Sequence, residues 1–441
     1  MVRSDSKDRL QPFTENPRYW QYKEKPVLLL GGSVEDNLFQ ISHLREHLDL
    51  LKSAGGNYIR CTMSSRDPGD VWAFERGADG RYDLNQPGRE YWRRFTDCLK
   101  LCAERDIMVQ IEVWDRFDFA RDPWNDNPFN PKNNRNYTAE DCRLPEKIET
   151  HPGRRENGFF RSVPRLENNI VLLPFQHAFV DDLLRHALPY GIILYCMDNE
   201  TNESPEWGKY WAEYIQEKAR KAGATVYCTE MWDAHNLADP QHNATFDHPA
   251  LYAFVDISQN NHQVGQVHYD RALEVRKRLE DRPRPINTVK TYGADTGRYG
   301  TDRDGIERFW RHIFAGLASM RFHRPASGIG LNETAQVHLR SARLFAEAFP
   351  VFTAEPRPDL LTGHGENEAF LLAEEGKRYV VLFLSGSKAT LRLSEMDKPA
   401  SVRWLNIEEC RWEAETPVQA AHSLSLATPG KGMWVGVLQI G

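Results

Sequence analysis

The chain has 441 residues, a formal net charge of −7, 40% hydrophobic residues and 11% aromatic ones. That much apolar material excludes a disordered chain. The acidic balance excludes a protein that binds nucleic acid by neutralising phosphates, and no run of 18 apolar residues offers a membrane span.

Taken in chain order, a short apolar strand, a polar loop and an amphipathic helix alternate through the first three quarters. Strands read at 26–31, 57–63, 107–113, 191–197, 225–229, 254–258, 285–289 and 327–331. Helical spacing follows most of them, as in "ISHLREHLDLLKSAG" and "SPEWGKYWAEYIQEKARKAG". In the second, Ser204 supplies an N-cap, Pro205 the first helical position and Gly223 the stop. Eight strand-then-helix units predict an α/β fold, a closed (β/α)8 barrel over 1–352. No strand is followed by a dinucleotide-type glycine pattern.

Two stretches break the alternation. The connection after strand three, about 115–169, is dense in Asn, Asp and Pro, and its Trp124, Phe129 and Tyr137 predict an ordered lid. From 353 to 441 the pattern becomes short alternating strands with turns about every ten residues, which predicts an all-β sandwich domain.

The seven cysteines form no CxxC pair, so buried reduced thiols are expected, with no disulfide framework and no zinc site. His235, Asp247 and His248 lack metal-ligand spacing. No cofactor is implied. The segment "MVRSDSKDRL" lacks the apolar core of a secretory leader. Cytoplasmic residence is one expectation, and periplasmic or secreted residence after removal of a leader is the other. Oligomeric state is left open.

In an eightfold barrel, catalytic groups sit at the carboxyl ends of the strands. Strand two ends near Arg60, strand three on Glu112, Trp114 and Asp115, and strand four on Asp198, Asn199 and Glu200. Strand five ends on Glu230 and Trp232, strand six near His262, and strand seven on Lys290, Thr291 and Tyr292. Carboxylates, amides and aromatics at nearly every mouth match the needs of glycoside hydrolysis, in which two carboxyl groups flank an oxocarbenium-like transition state. A carbohydrate substrate is the expected partner. Trp114 and Trp232 are candidate stacking platforms, and Arg60, Asp115, His262, Lys290 and Tyr292 are candidate substrate contacts. The cluster "RFHRP", Arg321 to Pro325, reads as ion pairing at the barrel bottom.

The "NE" pair, Asn199 and Glu200, at the end of strand four resembles the acid/base signature of the clan-A glycoside hydrolases. Arg60 is similar to that clan's strand-two arginine. "KPVLLLGGSVEDNLFQ", "NPFNPKNNRNYT" and the terminal β-region resemble bacterial cellulase-like and apiosidase-like hydrolases. The resemblance implies retention, with Glu200 as acid/base and Asn199 on the sugar 2-hydroxyl. It also implies a glutamate nucleophile on strand seven, where Lys290 and Thr291 stand instead. Three outcomes follow. A second carboxylate comes from another strand, Glu230 by preference. Or Lys290 marks other chemistry, such as holding an anionic sugar or serving as a lyase base. Or the barrel binds sugar without cleaving it.

Overall fold

Strands and helices alternate around a ring because each strand buries both faces, one against the interior and one against a helix. The structure, a computed structural model, describes residues 8–294, 298–393, 399–418 and 422–441. The ring strands are β1 (Leu29–Gly32), β2 (Tyr58–Thr62), β3 (Met108–Asp115), β4 (Ile193–Asn199), β5 (Cys228–Thr229), β6 (Val255–Asp256), β7 (Ile286–Asn287) and β8 (Ser319–Phe322). Parallel ladders join them in the order β5-β4-β3-β2-β1-β8, and β6 pairs with β7. The Ala318 N–H donates to Ile286 O at 2.8 Å, and Thr291 bridges Phe322, which ties β7 to β8. This is the (β/α)8 barrel that the periodicity predicts.

The ring interior is polar. Tyr58 donates to the Gln110 amide oxygen at 2.7 Å, and Gln110 donates to Asp256 at 2.8 Å. Each group is buried, so each must find its partner inside. A short antiparallel hairpin built from 11–12, 20–22 and 25–27 precedes β1, and its buried Trp20 donates to Asn287 at 3.0 Å.

The eighth strand departs from expectation. It lies at Ser319–Phe322, whereas 327–331 is the turn that leads to helix Glu333–Ala348. Arg321 points inward, fully buried, and donates to Ser33 Oγ at 3.0 Å and Val289 O at 2.7 Å. The cluster "RFHRP" therefore runs along β8 to the upper rim and is not at the barrel bottom. The fifth unit is also abbreviated: β5 is followed by the four-residue helix Asn243–Phe246.

The long connection after β3 is ordered by its own amides. Asn127 donates to Asp118 O at 2.9 Å, Asn130 to Trp124 O at 2.9 Å and Asn134 to Pro128 O at 3.0 Å. Trp124, Phe129 and Tyr137 are buried beneath these amides.

After helix Glu333–Ala348 the chain forms two antiparallel sheets. The larger runs through 369–374, 378–383, 434–440 and 400–406, and the smaller through 361–362, 388–392 and 423–427. Leu371, Val381, Leu391 and Trp404 fill the space between the sheets. Phe370, Leu372, Val380, Leu382 and Val435 point the other way and join the barrel's own apolar core. Alternation along a strand explains the division, since neighbouring side chains face opposite sheet surfaces. All seven cysteines are free thiols, six of them buried. Among the described residues, no helix is long and apolar enough to cross a membrane, and no cluster of His, Cys, Asp or Glu is arranged to hold a metal ion.

Candidate active site

The cleft at the carboxyl ends of the strands has a volume of about 300 Å³. Its floor is organised by Arg60, whose side chain is 1% exposed. Arg60 Nε donates to Glu112 at 2.7 Å, Nη1 pairs with Asp36 at 2.7 Å, and Nη2 donates to the Asn199 amide oxygen at 2.8 Å. A buried guanidinium needs this many acceptors, because its charge has left water. Burial alone would raise Asp36; the Arg60 and Arg321 guanidiniums outweigh it and hold the carboxyl well below its usual range. Burial wins at Glu112, where it raises the carboxyl against the pull of Arg60.

Asn199 ends β4 and is locked at both atoms. Its oxygen accepts from Arg60 and from Lys290 Nζ at 2.6 Å, and its nitrogen donates to Asp115 at 3.0 Å. Glu200 follows with a left-handed backbone, φ 53°, which turns its side chain back over the strand end. Its carboxylate is ion-paired with Lys290 and accepts from the Tyr292 hydroxyl at 3.2 Å. Burial would raise Glu200, but the Lys290 ammonium, with Arg116 and Arg60 behind it, brings it below the ordinary carboxylate range. The resting side chain is therefore an anion. A residue expected to donate a proton stands with none to give.

The sequence candidates divide into two groups. Glu200, Asn199, Arg60, Lys290 and Tyr292 share the cleft, and Asp115 supports it from beneath through Asn199 and through Arg66 at 2.6 Å. His262 sits at its edge, stacked on His235 with ring centroids 3.6 Å apart and edge-on to Tyr292 at 5.0 Å. Burial and then His235 lower its pKa to about 3, so the ring is neutral.

Glu230, Trp114 and Trp232 are not brought to the cleft. One Glu230 oxygen accepts from the backbone N–H groups of Asp198 and Met231, at 2.8 and 3.2 Å. The other is buried without a hydrogen bond and lies over Gly208 of helix Pro205–Lys221, where any β-carbon would come within 2.0 Å of it. Both Asp198 oxygens are likewise buried, with Thr201 as their neighbouring hydroxyl. Burial pushes both Glu230 and Asp198 well above the ordinary range, aided by the charge of Glu112 at Glu230 and that of Glu230 at Asp198. This is a protonated pair beneath the site, facing a helix. Trp114 packs among Phe159, Phe179, Trp207 and Trp211, and Trp232 donates to Thr245 at 2.8 Å, both in the core.

Other cleft residues come from segments with no strand-end signal. Arg66 follows β2, Phe117 and Arg121 lie on the long connection after β3, Tyr299 follows β7, and His323 and Arg324 follow β8. Burial brings His323 to about 4, so it too is neutral.

Comparison with known proteins places this architecture. A glycoside hydrolase of family 5 from Bacteroides vulgatus superposes over 98% of this chain and 93% of its own at 13% identity, with a TM-score of 0.66. The chain has the fold of glycoside hydrolase barrels. A family 5 mannosidase from Rhizomucor miehei matches 79% of this chain and 99% of its own at 11% identity, TM-score 0.53. An α-amylase from H. orenii matches 94% and 98% at 13% identity, TM-score 0.56. No family model and no curated protein matches the sequence.

Proposed function

We propose that the protein cleaves glycosidic bonds. The observation that carries this reading is the Arg60–Asn199–Glu200 arrangement across β2 and β4, set at the open end of a barrel with the glycoside hydrolase fold. An amide fixed on both sides is a rigid hydroxyl ligand, and a carboxylate beside it can serve a reacting anomeric carbon. Because Lys290 keeps Glu200 ionised, Glu200 acts as base. It takes a proton from the attacking water while the bond from the anomeric carbon to the leaving oxygen breaks. Lys290 and Tyr292 are engaged by Glu200 itself, so the proton for that oxygen comes from the Tyr299 phenol, which lines the same cleft and which burial keeps protonated.

One feature favours a second reading. With an ammonium where a nucleophilic carboxylate would be expected, the site also suits β-elimination from a uronic acid. There a base removes the C5 proton, the C4–O bond breaks, and a C4=C5 double bond forms. A panel of aryl glycosides and polysaccharides tests both readings. Reducing ends without near-ultraviolet absorbance support hydrolysis, and an unsaturated absorbing product supports elimination. Binding without any product overturns cleavage and leaves a sugar-binding barrel.

A further inference from the structure

The cleft wall carries more positive charge than a neutral sugar requires. Arg60, Arg66, Arg121, Lys290 and Arg324 line it, against Asp36 and Glu200. Most of these cations are engaged from behind. Arg60 holds Glu112 and Asp36, Lys290 holds Glu200, and Arg324 meets Glu35, Asp36 and Asp67. Two cations at the mouth differ.

Arg66 makes both its ion pairs, to Asp115 at 2.6 Å and Asp118 at 2.9 Å, through the single atom Nη1. Among the described residues no hydrogen bond engages its Nε or Nη2. Arg121 is exposed, and among the described residues its side chain has no hydrogen-bonding or ion-pair partner. Its backbone is left-handed, φ 56°, and its N–H is tied to Ile148 O at 2.7 Å. A non-glycine residue in that conformation carries strain, which persists where surrounding structure fixes it. Phe117 lines the same cleft as both, with the Arg66 guanidinium 5.9 Å and the Arg116 guanidinium 5.3 Å from its ring centre.

A planar guanidinium fork is matched to a carboxylate, and an aromatic face to a sugar ring. We infer that the cleft takes an anionic glycan, whose uronic acid carboxylate docks on Arg121 and Arg66 while its ring rests on Phe117. This rests on the carbohydrate reading of the site, not on which bond is cleaved.

The test uses the full chain and paired ligands. Oligosaccharides of galacturonate, mannuronate, guluronate and glucuronate, and glucuronoxylan fragments, are titrated calorimetrically before and after chemical reduction of their carboxyl groups. At least one acidic member should bind about tenfold or more tighter than its reduced twin, as expected for charge-assisted bonds. Its affinity should fall as ionic strength rises from about 20 to about 200 mM. Arg121→Glu, an exposed change that leaves the fold intact, should weaken that ligand about tenfold or more while leaving the melting temperature unchanged. Equal binding of acidic and reduced forms, absence of binding by every acidic member, or an Arg121→Glu variant that binds like the parent overturns the inference. Uronate binding without cleavage would overturn the proposed reaction and leave this inference standing. Turnover of neutral glycosides with no acidic member bound would do the reverse.

Discussion

Lys290 reaches from the end of β7 to the Asn199 amide oxygen at 2.6 Å and, with the same ammonium, to the Glu200 carboxylate. One cation thus sets the position of the amide and the charge of the acid. Where a second carboxylate would repel Glu200 and raise its pKa, an ammonium does the opposite.

Replacing Lys290 with methionine should reverse the balance at Glu200, because burial then acts with less opposition. A lowered native pKa stabilises the fold above the unfolded value, and that contribution is lost as pH falls through the native one. In Lys290→Met this acid-side contribution should disappear, and the acid limb of kcat/KM should move to higher pH. Infrared titration of the carboxylate reads the same shift without turnover. An acid limb and a titration that stay where they were would contradict the assigned role.

Glu200→Gln keeps the shape and the acceptor for Lys290 but removes the base. Turnover should fall by about 10²–10⁴-fold with the circular dichroism spectrum unchanged. A variant with parental activity ends the assignment of Glu200 to the chemistry.

Arg60→Met should be a folding defect before it is a catalytic one. It leaves Glu112 and Asp36 as buried carboxylates stripped of their main cation, a loss of about 3–5 kcal/mol in chemical denaturation. A loss below about 1 kcal/mol would mean that the neighbouring Arg321 and Arg324 carry Asp36 alone.

Glu230→Gln should behave in the opposite sense. Its pKa is raised in the fold, so the native pair holds protons that the unfolded chain releases, and stability drains as pH climbs above the unfolded carboxylate value. The amide cannot ionise. Its stability relative to the parent should therefore increase between about pH 5 and about pH 8, with cleavage little changed. Stability curves that run parallel over that range would count against a raised pKa at Glu230.

Where the sequence could be read, the signal was periodic or local. The strand ending at Asn199 and the one just before Lys290 are visible because apolar runs stop there in polar residues, and helix Pro205–Lys221 because Ser204 and Pro205 announce it. Strand β8 was hidden because Arg321 interrupts its apolar pattern. Its inward position depends on Ser33, 288 residues away, and no local pattern reports such a partner. Glu230 carries the same kind of ambiguity. A carboxylate at a strand end has two directions open to it, the cleft or the surrounding helix, and here Gly208 opens the room on the helix side. Trp114 and Trp232 were drawn into the core by aromatic and hydroxyl neighbours contributed by other segments. Arg66 and Arg121 lay in loops rich in charge, where only the folded path shows which guanidinium reaches the mouth.

The outward side chains of the larger terminal sheet, Phe370, Leu372 and Val435 among them, share one oily continuum with the barrel's helices. Arg276 also clasps Glu355, and Tyr269 rests on Phe370 with ring centres 4.6 Å apart. A barrel severed near Phe352 would bare a sticky flank to water. The terminal sheets thus serve the barrel as a permanent splint, and the two are expected to melt in one step.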